Sequence, residues 1–396
     1  MFLTAKNPIA ATSTTEFLFH ILARRFGCFV NDFFSRFHCF IGFRLDLLDN
    51  ILRIGIAEQR LVPAKINAQM ESDKGADHQA DDEFFHGCIS SCFLYNSSNH
   101  NGPSRFLASS MTPSDYCLQR IGGRLSNLTC SLMFLPRRAR ADLTALYAFV
   151  QEISDVPAKI HEPAVALNKM NWWQEEIRNV FQGSGRHPVS QALQPLVEAG
   201  KLAEQDLQSL IGAYAREIAP LRFPDFQALQ DHAYRTGGAA QLLCIDGLDA
   251  RQAELRSLAR QLGAAHRLAV LLQQTGADVR VNRLFIPDED MQRFQVSESE
   301  ILACRETPAF QRLIQFQADR ILALPVHNLG TRPDHPAVLP GLILTALDRA
   351  LLTEIRADGY HVLSRQIVLT PLRHLWTAWR TRRQTRRRFF SAGQTG

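Results

Sequence analysis

Residues 262–287 read LGAAHRLAVLLQQTGADVRVNRLFIP, and this stretch decides the fold. Its first half closes a segment, residues 250–274, in which apolar residues recur at spacings of three and four, the period of an amphipathic helix. A polar segment with Asp278 and Arg283 follows and ends at Pro287. The stretch predicts a helix that leads into a charged turn. Asp278 and Arg283 are candidates either for a functional pair or for a surface ion pair.

The same helical period extends on both sides of this stretch. Strands that alternate in polarity and meet at a hairpin turn are not found in the pattern of the sequence. We therefore predict that residues 111–380 form one all-α bundle. Its clearest predicted helices cover residues 137–150, 163–181, 189–199, 204–218 and 250–274.

The first 110 residues differ from this body in composition. They hold 14 of the 25 phenylalanines and none of the four tryptophans, and their apolar residues show no sustained period. Met111 is followed at once by a helix start, Thr112-Pro113-Ser114-Asp115. Residues 1–110 are either a targeting or accessory region, or an over-long reading frame with Met111 as the true start. We favour the second reading and expect this extension to be poorly ordered or spurious.

Several motifs in the body resemble those of the squalene/phytoene synthase family, the head-to-head type of trans-isoprenyl diphosphate synthase. Residues 262–287 align without a gap to its second aspartate-rich motif. Residues 135–149 resemble the entry to its first aspartate-rich helix, and residues 351–363 resemble a closing helix. Other matching positions are Lys169, Trp172, Trp173, Glu176 and Ile177, then Tyr234, Arg235 and Gly238, then Gly263, Ala265, Leu268, Leu272, Gly276 and Pro287.

The resemblance implies an isoprenoid synthase-type helical bundle around a central apolar cavity. It also implies the head-to-head condensation of two prenyl diphosphates in isoprenoid biosynthesis. Ionising an allylic diphosphate leaves pyrophosphate, whose charge Mg²⁺ neutralises while carboxylates hold the ion. Two D-x-x-x-D motifs on facing helices supply these carboxylates, because a spacing of four places both acids on one helix face.

The aspartate-rich motifs are degenerate here. Ser154 and Ala158 stand in the first motif where the family has the spaced acids, and Gln274 stands in the second motif where it has an aspartate. Asp155 remains in the first motif, about 100° round the helix from the metal row. Asp278 remains in the second. With three of the four acids absent, magnesium affinity should fall by several orders of magnitude, since ligand charge sets much of it.

The resemblance also implies roles for individual residues. We assign the remaining acids Glu152, Asp155 and Asp278 as candidate catalytic residues, with Asp155 and Asp278 as the weak metal ligands. Glu152 and Asp155 can share a helix face at their spacing of three. Arg267, which replaces a glutamine of the family, could supply positive charge to a phosphate without metal. The candidate substrate-binding residues are Arg140, Tyr147, Tyr234, Arg235 and Arg283.

The charge of the chain is concentrated at its C-terminus. The net charge is +5, and seven arginines lie in residues 373–388. Leu372, Leu375, Trp376 and Trp379 fall on one helical face, and residues 381–396 form a basic tail. This pattern favours the membrane interface, with a solvated basic end as the alternative. Nucleic acid fits poorly, because no recognised binding module accompanies the arginines.

Two classes of function remain open. One is a transferase that uses prenyl diphosphates and Mg²⁺ at an altered site. The other is a non-catalytic homologue, a pseudoenzyme without a cofactor, that binds a prenyl diphosphate or other isoprenoid lipid, or that assists assembly of a membrane respiratory complex. The loss of acids favours the second. We expect a cytoplasmic protein peripheral to the inner membrane.

Overall fold

A computed structural model describes residues 111–122, 126–328 and 335–392. Within these ranges the secondary structure is helical and contains no strand, which confirms the predicted all-α class. The expectations for residues 1–110 lie outside the described residues. None of the described helices is both long enough and apolar enough to cross a membrane.

The described helices are numbered here in chain order. They are α1 (Pro113–Arg120), α2 (Asn127–Leu132), α3 (Arg137–Lys159), α4 (Pro163–Phe181), α5 (Pro188–Glu198), α6 (Glu204–Ala215), α7 (Phe226–Ala233), α8 (Ala239–Gly247), α9 (Ala253–Gln273), α10 (Thr275–Arg280), α11 (Asp288–Phe294), α12 (Glu298–Leu302), α13 (Pro308–Leu322), α14 (Leu339–Ala357) and α15 (Pro371–Ala392). Between them lie the 3₁₀ turns Arg216–Ile218 and Pro325–Asn328 and the π turn Tyr234–Gly238.

The predicted helices are confirmed, with small shifts at their ends. α4 has the predicted bounds, and α9 starts three residues later than predicted and ends one residue earlier. α3 runs nine residues beyond residue 150 and passes through Pro157, which is buried. A proline inside a helix removes one N–H bond. Here it stands only two residues before Lys159, so the loss falls in the last turn, where the helix is ending.

α9 lies at the centre of the bundle. It packs against α7, α8, α13, α14 and the π turn. The contact with the π turn is a close approach of two backbones, since a Cβ on Gly263 would lie 2.2 Å from the carbonyl oxygen of Gly237. Only glycine permits this approach. The π turn, which carries Tyr234 and Arg235, is therefore held firmly against the helix that carries Arg267.

The C-terminal helix α15 packs against α14 and α2. Leu375 is buried, Trp376 and Trp379 are half-buried with ring centroids 5.0 Å apart, and Leu372 is 54% exposed. The predicted apolar face is thus divided, because part of it joins the protein core and part faces outward. The C-terminal residues 393–396 lie outside the described residues.

Candidate functional site

A buried carboxylate, Glu217, lies at the centre of a group of charged side chains that we call the Glu217 cluster (Glu217, His232, Arg267, Asp278 and Arg283). Arg267 Nη2 donates to Glu217 Oε1 at 2.7 Å, and Arg283 Nη2 donates to Oε2 at 2.6 Å. His232 Nε2 lies 2.9 Å from Oε1. The side chain of Glu217 is fully buried. One carboxylate therefore joins α7, α9 and the segment after α10.

Local structure explains why this carboxylate points inward. Glu217 follows α6 in the 3₁₀ turn and continues the buried face of that helix, which carries Leu207, Leu210 and Tyr214. Burying an unpaired carboxylate is costly, so such a group needs opposite charges and hydrogen bonds around it. Burial alone raises the pKa of Glu217, but Arg267, the His232 hydrogen bond and Arg283 lower it to about 2. Glu217 is therefore ionised at neutral pH.

Asp278, the surviving acid of the second motif, lies in α10 at the edge of this cluster. It is 6% exposed, and Arg283 Nε lies 3.6 Å from its Oδ1. Burial, the largest influence, raises the pKa of Asp278 to about 6, although Arg283 and Arg267 act to lower it. Asp278 and Arg283 thus form an ion pair as the sequence allowed, but it is buried and not on the surface.

The cluster also contains buried polar atoms without a hydrogen-bond partner in the described residues. They are Arg267 Nε, Asp278 Oδ2, Arg283 Nε and Arg283 Nη1. Glu217 and an ionised Asp278 carry two negative charges, which equal the two positive charges of Arg267 and Arg283. The charges of the cluster are therefore balanced from within the protein.

The surviving acids of the first motif lie in a second group, the Arg120 cluster (Tyr116, Arg120, Glu152, Asp155 and Lys159). Arg120 Nε donates to Glu152 Oε1 at 2.6 Å, and Arg120 Nη2 donates to Asp155 Oδ2 at 2.5 Å. Lys159 Nζ donates to Asp155 Oδ2 at 2.7 Å, and Tyr116 donates to Glu152 Oε1 at 2.8 Å. The predicted shared face of Glu152 and Asp155 is confirmed, and α1 covers it.

The electrostatics of the Arg120 cluster are milder than those of the Glu217 cluster. The side chain of Asp155 is 15% exposed, that of Arg120 is 22% exposed and that of Lys159 is 67% exposed. Burial acts to raise the pKa of Asp155, but hydrogen bonds from Lys159 and Arg120 outweigh it. The pKa of Asp155 is therefore lowered below its ordinary value. The charged groups that shift the pKa of Asp278 all belong to the Glu217 cluster. Among the described residues the two clusters share no member and no hydrogen bond.

The other predicted substrate-binding residues lie in α3 and in the π turn. Tyr147 is buried in α3, where Gln241 Nε2 donates to its hydroxyl at 2.7 Å, and burial raises its pKa well above the ordinary value. Tyr234 is half-buried with the Arg260 guanidinium 5.2 Å from its ring centroid. Arg235 is exposed and Arg140 is half-buried. Arg283 pairs with Asp278, and the substrate-binding assignments of all five residues stay predictions.

The residues present do not fit a magnesium ion. Mg²⁺ takes oxygen ligands in octahedral geometry and depends on carboxylate charge. In the part of the chain that the structure describes, three or more His, Cys, Asp or Glu side chains nowhere converge on one point. Asp155 is bonded to two cations, and Asp278 has one guanidinium beside it and a second near enough to lower its pKa. Cations of the protein thus already pair with both candidate metal ligands.

An apolar cavity lies between α9 and α13, beside Thr275 of α10, and has a volume of about 20 Å³. Its lining includes Leu229, Leu268, Leu271, Leu272, Phe285, Ile286, Ile314 and Ile321. This volume suffices for about one water molecule. Pockets that hold organic ligands have volumes of roughly 300–1,000 Å³. This apolar cavity is too small for a prenyl chain as it stands.

Sequence reasoning missed Glu217, the centre of the cluster. The available signal was its spacing, because Glu217 follows Leu210 and Tyr214 at steps of four and three on the apolar face of a predicted helix. A carboxylate on such a face indicates a buried ion pair. Arg267 was singled out by its replacement of glutamine, and it does carry positive charge into this region, where Glu217 is its partner.

Comparisons with known proteins agree with this fold. A sequence model described as squalene/phytoene synthase matches residues 126–373. A presqualene diphosphate synthase from Zymomonas mobilis subsp. mobilis is 25% identical over 267 residues, which cover 65% of this chain and 90% of that protein. A mouse protein, NADH dehydrogenase (ubiquinone) complex I, assembly factor 6, is 22% identical over 274 residues, covering 67% of this chain and 82% of that protein.

A solved structure shows the same fold. The crystal structure of a squalene synthase from Alicyclobacillus acidocaldarius superimposes with a TM-score of 0.53 at 22% identity. The match covers 63% of this chain and 94% of that one. The family match spans well over half of the 396 residues and includes both degenerate motifs. This chain belongs to the squalene/phytoene synthase family.

Proposed function

We propose that this chain is a non-catalytic member of its family, which acts by binding and does not condense prenyl diphosphates. The observation that carries the proposal is the Glu217 cluster, in which Arg267 and Arg283 neutralise Asp278 and Glu217. In the family reaction a divalent cation would have to neutralise the leaving pyrophosphate at the second motif.

Electrostatics argue against a metal-dependent reaction at this site. Two unit charges 4 Å apart interact with about 4 kcal/mol at an effective dielectric constant of 20, so a divalent ion beside two buried guanidiniums is strongly repelled. Asp278 is buried and has the Arg283 guanidinium 3.6 Å from its Oδ1, so a metal ion would have to compete with that guanidinium. In the first motif Arg120 and Lys159 already bond to Asp155. Both candidate metal ligands, Asp155 and Asp278, thus already pair with cations of the protein.

The comparisons supply a role for such a protein. One relative that matches two thirds of this chain is named as an assembly factor of complex I. We extend the proposal to assistance in the assembly of a membrane respiratory complex, or to binding of an isoprenoid lipid after the apolar cavity widens. The site of action would be the cytoplasmic face of the inner membrane. Support for a membrane surface comes from Val368 and Leu372, which are 66% and 54% exposed beside the arginine-rich α15.

A second candidate is the family reaction itself, with Mg²⁺ bound in a form that this structure does not contain. The relative named presqualene diphosphate synthase favours it. In that case Glu152, Asp155 and Asp278 would be the acids. Substrate contacts would come from the predicted residues Arg140, Tyr147, Tyr234, Arg235 and Arg283.

The test is release of pyrophosphate by the full chain from farnesyl and geranylgeranyl diphosphate in the presence of Mg²⁺. We expect no release above that of buffer. Release that requires Mg²⁺, is lost in Asp278→Ala and survives in the exposed control Asp206→Ala would overturn the proposal in favour of the second candidate. The fold of both variants is checked by circular dichroism.

A further inference from the structure

A histidine–carboxylate pair joins the helices α9 and α14 and belongs to neither motif cluster. Nδ1 of His266 in α9 lies 3.0 Å from Oδ1 and 2.9 Å from Oδ2 of Asp348 in α14. The side chain of Asp348 is 3% exposed, and that of His266 is 21% exposed. Protons from the solvent can therefore reach the imidazole, whereas the carboxylate is closed off from water.

The contact between these two helices is otherwise apolar and close. A Cβ on Gly341 would lie 3.3 Å from the Cβ of Leu262, about one turn before His266 in α9. Apart from Thr345 and Asp348, the buried residues of α14 are apolar. Within the described residues, His266 supplies the hydrogen bonds that the Asp348 carboxylate accepts. The carboxylate thus depends on this one partner, since burying an unpaired charge is costly.

Few other charges act on the pair. Apart from Asp348, the charged group that shifts the pKa of His266 is Arg267, which acts to lower it while its guanidinium bonds to Glu217. The charged group that shifts the pKa of Asp348 is His266. α2, which packs against α14, contains no charged residue. Charged side chains on the other helices packed against α9 or α14 form pairs elsewhere: His232 with Glu217, Asp246 with Arg256, Asp319 with Arg356, Arg320 with Asp290, and Arg373 with Glu354.

The pair holds its proton more tightly than an isolated histidine does. Burial, the largest influence, acts to lower the pKa of His266, but the charge and hydrogen bond of Asp348 outweigh it and raise this pKa above 6.5. The contribution of the pair to stability is therefore complete below pH 6.5 and is lost as the pH rises through the folded-state pKa of His266. Loss of the proton leaves the buried carboxylate without a counter charge.

We propose that His266 and Asp348 form a pH-sensitive contact, which joins α9 to α14 while His266 is protonated and opens locally when it is not. Because α14 also packs against the arginine-rich α15, opening of this contact would loosen the support of that helix. The inference is independent of the proposed function, because a catalytic chain and a non-catalytic chain would both contain the pair.

The first experiment follows the His266 ring by nuclear magnetic resonance, in the full chain with ¹³C-labelled histidine. The resonance is assigned by its absence in His266→Gln. We expect His266 to titrate above pH 6.5 in the unmodified chain. In Asp348→Asn, which keeps a hydrogen-bond acceptor but removes the charge, it should titrate at a lower pH.

The second experiment measures opening of the helix contact by amide hydrogen exchange. Between about pH 6 and about pH 9, residues 259–269 and 341–352 should lose protection severalfold, after correction for the intrinsic rise of the exchange rate with pH. Asp348→Asn and His266→Gln should each abolish this dependence. The control His361→Gln, which removes the more exposed pair of His361 with Glu306, should retain it.

Three results would overturn the proposal. The first is titration of His266 at or below pH 6.5 in the unmodified chain. The second is protection of residues 259–269 and 341–352 that does not change with pH in the unmodified chain. The third is the same pH dependence in Asp348→Asn or His266→Gln as in the His361→Gln control. Circular dichroism checks the fold of each variant.

Discussion

The two motif regions of this protein have lost acids in the same way, but their remaining acids have different environments. In the Arg120 cluster the survivors Glu152 and Asp155 bond to cations of α1 and α3, and the group stays partly exposed. In the Glu217 cluster Asp278 is buried with two arginines and a further carboxylate. In both clusters the remaining acids pair with cations of the chain itself.

The two clusters are expected to differ in how much each contributes to the free energy of unfolding. Partly exposed ion pairs contribute little, because water and salt screen them. Removal of Glu217, the carboxylate that Arg267 and Arg283 share, would leave uncompensated buried charge, which is strongly destabilising. We therefore expect the Glu217 cluster to be essential for stability and the Arg120 cluster to be dispensable.

The largest expected effect is that of Glu217→Gln. This change removes the charge that Arg267 and Arg283 share, and it leaves two buried guanidiniums without full compensation. We expect the free energy of unfolding to fall by about 3–5 kcal/mol, as for other broken buried ion pairs. Urea unfolding at neutral pH measures this. The control Glu175→Gln, in an exposed pair with Arg178, should hardly change it. Equal effects of the two variants would contradict the comparison.

Asp278→Asn should act in the opposite direction. The folded-state pKa of about 6 lies above the ordinary value of 3.8, so the folded protein binds this proton more tightly than the unfolded chain. The contribution of Asp278 to stability therefore falls as the pH rises from 3.8 to about 6. Asparagine resembles the protonated form and should raise the free energy of unfolding by about 3 kcal/mol above pH 7.

Thermal unfolding of this variant at a series of pH values tests the sign. Its advantage over the unmodified chain should shrink below pH 4, where both side chains are neutral. An Asp278→Asn variant that is less stable at neutral pH would mean that the arginines require the charge of Asp278, and burial would then not be its dominant influence.

Asp155→Asn should have the smallest effect. The pKa of Asp155 is lower in the folded protein than its ordinary value. Its contribution to the free energy of unfolding is therefore present at pH values above the ordinary pKa, and it is lost as the pH falls through the folded-state pKa. With Lys159 mostly exposed, we expect a loss of about 1 kcal/mol at neutral pH, which added salt reduces further. Urea unfolding at low and high salt measures both. A loss as large as that of Glu217→Gln would remove the distinction between the two clusters.

The sequence predicts the helices well because their apolar spacing is local. The predicted bounds of α4 are those observed, and the cap at Thr112 forms, with its Oγ1 accepting from the N–H of Asp115 at 3.1 Å. The spacing of Glu152 and Asp155 correctly places them on one face. These features depend on residues within a few positions of one another.

The partners of the charged side chains could not be predicted in the same way. Arg120 meets Asp155, and Glu217 meets Arg267 and Arg283, only after distant helices pack. The aspartate-rich pattern shows at which positions acids are missing. It does not show that arginines pair with the acids that remain. Whether Arg140, Tyr147, Tyr234, Arg235 and Arg283 contact a substrate likewise stays a prediction.

The most direct test of the central claim is a titration of the full chain with Mn²⁺, a paramagnetic substitute for Mg²⁺, followed by electron paramagnetic resonance. If arginines have replaced the metal, the spectrum without pyrophosphate should remain that of free Mn²⁺. With pyrophosphate, which itself binds Mn²⁺, the spectrum should match that of a buffer control with the same amount of pyrophosphate. Stoichiometric binding of Mn²⁺ that disappears in Asp278→Asn would contradict the account, because it would show that the second motif still holds its ion.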